Sequence, residues 1–188
     1  MPLLQIVSVS TRPGRLGPHV ARWFYEQAGR HGKFETELVD LAEVNLPLFD
    51  EPHHPKAEKY AHEHTKRWSA IVRRADAFVF VTPEYNHSTP APLVNAFNYL
   101  VNEWAYKPVG FVGYGGVSGG MRSIQMSKMF AVALRMVPVL EAVVIPAFTN
   151  YLDKEKGTLT PEKMTEDSVA PLLDELLKLA NALKPIRS

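Results

Sequence analysis

The run Ala77-Phe-Val-Phe-Val81 offers no polar residue to turn toward solvent. A strand built from it must be covered on both faces, as in a parallel sheet sandwiched between helices. Residues 3–9 and 109–112 share that apolar, β-branched character, and residues 137–145 form a fifth strand interrupted early by Pro138. Phe34 to Leu41 alternates in the period-two manner of a strand. Between these runs lie amphipathic helices. Pro18 opens the first, since a first-turn residue needs no amide partner, and Val20, Ala21, Phe24 and Ala28 mark its inner stripe before Gly29 or Gly32 ends it. Further helices are expected over 56–75, with Trp68, Ile71 and Val72 inside, over 92–103 and over 121–136. Thr160-Pro161 reads as an N-cap followed by proline at the first helical position, with the last helix reaching about Leu183. Strand and helix thus alternate five times, which predicts an α/β three-layer sandwich with a five-stranded parallel sheet in the doubly wound order 2-1-3-4-5.

A chain of 188 residues suits one domain, taken here as 1–188. There is no cysteine, which excludes disulfides, thiolate catalysis and cysteine-based metal sites. A net charge of +1 gives no sign of a nucleic-acid or anionic-membrane partner. The N-terminus lacks a basic region ahead of a long apolar run, and no apolar stretch approaches bilayer length, so a soluble cytoplasmic protein is expected.

In a sheet of this order, ligands bind beyond the C-terminal strand ends, at the switch point between strands one and three. The loops after strands one, three and four are also the chain's least ordinary sequences. The first, Ser10-Thr-Arg-Pro-Gly-Arg-Leu-Gly17, brings the hydroxyls of Ser10 and Thr11 and the guanidiniums of Arg12 and Arg15 to a helix start. Unpaired amides and a partial positive charge there attract phosphate, and arginine adds charge-assisted bonds. The loop matches neither dinucleotide nor P-loop fingerprints, so Asp40, at the end of strand two, reads as a solvent-facing residue. The second loop, Thr82 to Pro90, is stiffened by two prolines and suits backbone recognition of a flat polar ring edge, with Ser88 or Thr89 also capping the next helix. The third, Gly113-Tyr-Gly-Gly-Val-Ser-Gly-Gly120, allows close backbone approach to a planar ligand, with Tyr114 as a flat wall.

These residues resemble the NADPH-dependent FMN reductases, the flavodoxin-like group that includes chromate, azo and quinone reductases. The matching elements are S-T-R-P-G-R-L-G (10–17), T-P-E-Y-N-H-S-T-P-A-P-L-V-N-A (82–96) and G-Y-G-G-V-S-G-G-M-R (113–122), within a similarity running from Leu3 to Ile145. The resemblance implies that Ser10, Arg12 and Arg15, with the amides of Leu16 and Gly17, hold the phosphate of FMN. It implies that Pro83, Glu84, Tyr85 and Asn86 line the isoalloxazine mainly through backbone, Asn86 serving N5 by its amide, and that Gly115, Gly116 and Ser118 contact the other edge. Thr11, Ser88 and Tyr114 complete the candidate set. Arg15 and Pro18 stand where many relatives carry Ser and Asn, which shifts phosphate contacts toward arginine.

The activity so implied is an oxidoreductase that passes two electrons from NADPH or NADH through FMN to a small-molecule acceptor such as a quinone, azo compound, metal ion or free flavin. No side chain is required as acid or base, and none is assigned a catalytic role. A flavodoxin-type electron carrier is the alternative, and the near-neutral charge disfavours it. A metal enzyme is a third reading. However, His62 and His64 would point about 200° apart on a helix, and the H-E-x-x-H spacing is absent. A binding domain with its ligand site lost is the fourth, opposed by Arg12 and Arg15, which have no evident structural task. Aromatic residues between Phe97 and Tyr106 exceed what one helix face buries, so a homodimer, or a homotetramer, is expected through that region.

Overall fold

Every residue of the strand Ala77–Pro83 (β3) is buried in the computed structural model, which describes residues 1–187. It lies between Leu3–Ser8 (β1) and Pro108–Tyr114 (β4), paired in parallel with both, with Ile6 opposite Val79 and Val81 opposite Val112. Glu35–Asp40 (β2) pairs outside β1. The sheet order is β2-β1-β3-β4-β5, as the apolar runs require. The fifth position is split into Val137–Pro138 (β5) and Val143–Ile145 (β6), both paired with β4. Pro138 has no amide to extend the ladder, and the chain loops outward at exposed Leu140 before returning.

Alternate residues of β3 feed two cores. Ala77, Val79 and Val81 pack under Gly17–His31 (α1) and Val169–Leu183 (α7). Phe78 and Phe80 pack under Glu63–Arg74 (α3), Ala91–Asn98 (α4) and Met121–Ala133 (α5). Trp104 is the hub of the second core. It is fully buried, with ring centroids 5.2 Å from Phe78, 5.4 Å from Phe97 and 5.8 Å from Trp68. Phe97, Tyr99 and Leu100 are buried as well. The aromatic surplus that suggested a dimer face is therefore spent inside the chain, because a bend after α4 turns these rings inward. Only Tyr106 remains partly exposed, with the Arg135 guanidinium 5.6 Å from its ring centroid.

Several helix limits differ from expectation, each for a local reason. The helix expected from residue 56 begins at Glu63, because Glu58 is left-handed (φ 53°) and the Glu51 carboxylate accepts the Ala61 and His62 amides at 2.8 and 3.1 Å. The helix expected to reach 103 stops at Asn98. The chain is drawn off its axis by Glu103, whose buried carboxylate takes hydrogen bonds from Ser69 (2.6 Å) and Tyr60 (2.8 Å). Arg135, left-handed at φ 60°, follows the end of α5 at Ala133, short of the expected Met136. Thr160 donates its amide to the Tyr151 carbonyl, leaving Glu162 at the cap of the short helix Lys163–Asp167 (α6). A short helix, Leu41–Val44 (α2), and an antiparallel hairpin of Leu152–Asp153 (β7) and Thr158–Leu159 (β8) were not expected.

His62 sits in extended backbone ahead of α3, so the helical angle expected between His62 and His64 does not apply. Their rings stack at 5.1 Å beside Asp50, which lies 3.0 Å from His64. No helix among the described residues is long and apolar enough to cross a membrane.

Candidate active site at the switch point

Ser10, Arg12, Leu16, Pro83, Glu84 and Tyr85 share one cavity of about 390 Å³ with Tyr114, Gly115 and Gly116. It opens at the C-terminal edge of the sheet, where β1 and β3 are neighbours in space and their connections leave in opposite directions. Its size is that of a small-molecule site.

The floor begins at the amino end of α1. This 15-residue helix has no side-chain cap and no acidic residue in its first turn. Pro18 has no amide and His19 donates to the Leu16 carbonyl at 3.2 Å, so the helix dipole and the Gly17 amide are what favour an anion there. Arg12 is exposed at the cavity, with Ser10 buried beside it. Ser10 Oγ lies 2.9 Å from the Tyr85 hydroxyl, joining the first loop to the second. Arg15 is committed elsewhere: it donates to the Ser10 carbonyl at 2.9 Å and to Asp40 at 2.7 Å. Asp40 is consequently not a solvent-facing residue, since its carboxylate holds Arg15 and accepts the Ala42 amide at 3.0 Å. Arg15 does have a structural task, which is to shape the loop. Gly17 is required by close approach, because a side chain there would strike the Tyr114 hydroxyl. Burial and the neighbouring Tyr85 push the Tyr114 phenol above its ordinary pKa, so it stays a neutral donor.

The second loop is a tight turn. Tyr85 and Ser88 exchange backbone hydrogen bonds at 3.2 and 3.0 Å, with Asn86 (φ 50°) and His87 (φ 62°) both left-handed between them. That geometry is a type I′ turn, which favours Asn then Gly. Ser88 is used in closing the turn, and neither it nor Thr89 caps α4, whose cap position is Pro90. A non-glycine residue held left-handed costs about 1–3 kcal/mol. His87→Gly is thus expected to raise stability by about 1 kcal/mol, read as a higher urea midpoint; an unchanged or lower midpoint contradicts the strain.

Three side-chain links weld the second loop to α5, the helix that follows the third loop. Thr82 and Ser123 hydroxyls lie 3.0 Å apart, Ser127 donates to Thr89 at 2.9 Å, and Glu84 accepts from the Arg122 guanidinium at 2.8 Å and its amide at 3.1 Å. Partial burial raises the Glu84 carboxyl, but the Arg122 and Ser118 hydrogen bonds outweigh it and hold the pKa below the ordinary value. Glu84 clamps the cavity wall to the start of α5, a role that its place in the motif does not disclose. Glu84→Ala is expected to lower stability by about 2 kcal/mol, the worth of a charge-assisted hydrogen bond. A urea midpoint equal to wild type would contradict the clamp.

Most glycines of the third loop serve internal packing. Gly115 and Gly116 alone among them line the cavity, and a side chain on Gly116 would meet nothing within 4 Å. The Gly115 amide donates to Ile145 at 3.4 Å, and the Gly115 and Gly116 carbonyls accept from Phe148 and Ala147. Ala147, Phe148 and Thr149 complete the cavity. Phe148 packs edge-on to Tyr114 at 4.9 Å. These three residues escaped the sequence reading, although they follow the fifth strand at the same sheet edge, where the switch-point rule would have placed them. Of the other candidates, Thr11 faces a neighbouring cavity, while Arg15, Gly17, Asn86, Ser88 and Ser118 support the walls from behind or beside them.

Residues 2–150 match the family model described as NADPH-dependent FMN reductase. The chain is similar to an NAD(P)H-dependent FMN reductase of Schizosaccharomyces pombe, at 38% identity over 148 residues, covering 77% of this chain and 74% of that protein. A quinone reductase of Pseudomonas putida is 36% identical over 134 residues, covering 66% and 68%. Among solved structures, the flavoenzyme NAD(P)H:(acceptor) oxidoreductase FerB of Paracoccus denitrificans shares the fold at a TM-score of 0.75 and 21% identity, over 97% of this chain and 98% of that one.

Proposed function

Because the chain belongs to the NADPH-dependent FMN reductase family, we propose that it is an oxidoreductase that binds FMN in the switch-point cavity and passes two electrons from NAD(P)H to a small acceptor. The observation that carries this reading is the convergence on one cavity of an uncapped helix terminus with Arg12, a stiff turn, and the open backbone at Gly116. These are the parts needed for a phosphate and a flat, polar-edged ring. The quinone reductase among the similar proteins supports a quinone as the acceptor, within a proposed class that also takes in azo compounds, metal ions and free flavin.

FMN supplies the relay of two electrons when it is bound. The amino end of α1, Arg12 and the Ser10 hydroxyl hold its phosphate, while Arg15 acts by fixing the Ser10 carbonyl. The Gly116 amide, in the cavity wall, and the Asn86 amide, beside it and left free by the Tyr85–Ser88 pairing, would serve the ring's polar edges. Tyr114 and Phe148 exclude water from one flank. Tyr85 keeps Ser10 oriented and remains 37% exposed, so its side of the cavity stays open to donor and acceptor. No side chain need exchange a proton with either substrate.

In this reading the whole span 1–188 acts as one such domain, with the cytoplasm as its place of action. Self-association as a homodimer or homotetramer is supported by α5, where Met121, Met126, Met129 and Val132 are exposed within an arc of about 140° at 100° per residue.

NADPH oxidation should accelerate when FMN is added to the flavin-free protein. A protein that neither retains FMN nor oxidises NADPH in its presence refutes the proposal, and one that binds FMN without oxidising NADPH is an electron carrier instead.

A further inference from the structure

Two cavities have lining residues next to those of the flavin cavity in the chain, and they differ in charge. One starts at Thr11, runs between α4 and the segment 41–48, and encloses about 360 Å³; no charged side chain among the described residues lines it. The other is a groove of about 420 Å³ between α1 and the β7–β8 turn. Pro18, Trp23 and Leu159 give it an apolar floor, and His19, Arg22 and Lys156 bring cations or potential cations to its rim, against the lining carboxylate of Glu26 and that of Asp153 beside Lys156.

The groove is held in shape. A ring nitrogen of His19 lies 3.1 Å from the Gly157 carbonyl, which fixes the hairpin turn against α1. Gly157 is left-handed (φ 67°), and a side chain there would press on the His19 ring at 3.1 Å. Arg22 is exposed and joins none of the ion pairs among the described residues. Lys156 has only a 3.7 Å contact with Asp153 in its own turn, a surface pair of little worth that a ligand displaces readily.

The groove also neighbours the flavin cavity along the chain. Leu16 lines the cavity and Pro18 the groove, and two peptide units separate their α-carbons by at most about 7.6 Å. Hydride transfer requires the nicotinamide inside the flavin cavity. The remainder of the donor, with its pyrophosphate and 2′-phosphate, must then lie along an adjoining surface. Of the two surfaces available, only the groove carries cations for phosphate and an apolar floor for a base.

Resting on the reading of the cavity as the FMN site, we propose that the α1–hairpin groove binds the phosphorylated adenosine end of NADPH. Arg22 and Lys156 contact its phosphates, and Trp23, with Pro18 and Leu159, underlies the adenine.

The test is calorimetric titration of the FMN-loaded protein with adenosine 2′,5′-bisphosphate, alongside steady-state kinetics. Wild type should bind the bisphosphate more tightly than adenosine 5′-monophosphate. Arg22→Ala and Lys156→Ala should each weaken it roughly tenfold, the lower end of what one hydrogen bond to a charged group contributes. The same variants should raise KM for NADPH with kcat retained and FMN affinity unchanged, while Lys59→Ala, exposed elsewhere, should change nothing. Failure of wild type to bind the bisphosphate at millimolar concentration, or equal binding by wild type and both variants, overturns the groove assignment. Binding that is lost in the variants, in a protein whose NADPH oxidation does not respond to FMN, sustains the groove and refutes the proposed activity.

Discussion

Gly120→Ala is expected to destabilise the fold by about 3 kcal/mol and to weaken FMN binding by at least tenfold, or about 1.4 kcal/mol. Gly120 is the residue from which α5 departs, and its φ of 89° is one that alanine adopts only under strain. A methyl group there would lie 2.5 Å from the Tyr114 nitrogen and 2.7 Å from the Gly113 α-carbon. Those atoms belong to β4, paired with β3 on one side and β6 on the other, so they yield only if the ladder opens. The third loop would shift, and with it Gly115 and Gly116 at the cavity. Gly116→Ala is the companion variant. Its added methyl meets no protein atom within 4 Å, so stability should stay within about 0.5 kcal/mol of wild type while FMN affinity falls. Urea denaturation and FMN fluorescence titration on both variants separate the frame of the site from its contact surface. Gly120→Ala with wild-type stability, or Gly116→Ala with wild-type FMN affinity, would contradict this division.

Trp104→Ala is expected to cost about 3–5 kcal/mol, as for other large buried aromatics, a large share of the 5–15 kcal/mol that holds a typical domain together. Trp104 is in contact range of rings from β3, α3 and α4, so its loss opens a void that no single neighbour can fill. Trp104→Phe keeps most of the volume and should retain more than half of that stability. A loss for Trp104→Ala within about 0.5 kcal/mol, the range of surface substitutions, would instead place Trp104 on an exposed or subunit-contacting face.

What was legible in the sequence was the framework. The run 77–81 demanded cover on both faces, and the alternation of strand and helix then allowed few sheet orders. The site was legible to the extent that its chemistry is local: Arg12, the stiff 83–90 loop and the glycines of 113–120 stand out without knowledge of their neighbours. What escaped depends on pairs distant in the chain. Arg15 looked available until Asp40, 25 positions away, was found to hold it. Glu51 stops α3 from starting early by holding the Ala61 and His62 amides ahead of it from across a loop. Glu84 looked like a ring-lining residue and clamps Arg122 from 38 positions away. The aromatics of 97–106 were counted against one helix face, but Glu103 bends the chain and gives them a core to enter.

An anaerobic absorption spectrum of the FMN-reconstituted, desalted protein, before and after addition of one equivalent of NADPH, joins cofactor and reaction in a single measurement. The protein is expected to keep the oxidised-flavin bands through desalting, lose them on adding NADPH, and regain them when a quinone is admitted. A colourless protein after desalting, or flavin bands that NADPH leaves unchanged, would contradict the assignment of this cavity as an FMN-dependent NAD(P)H oxidoreductase site.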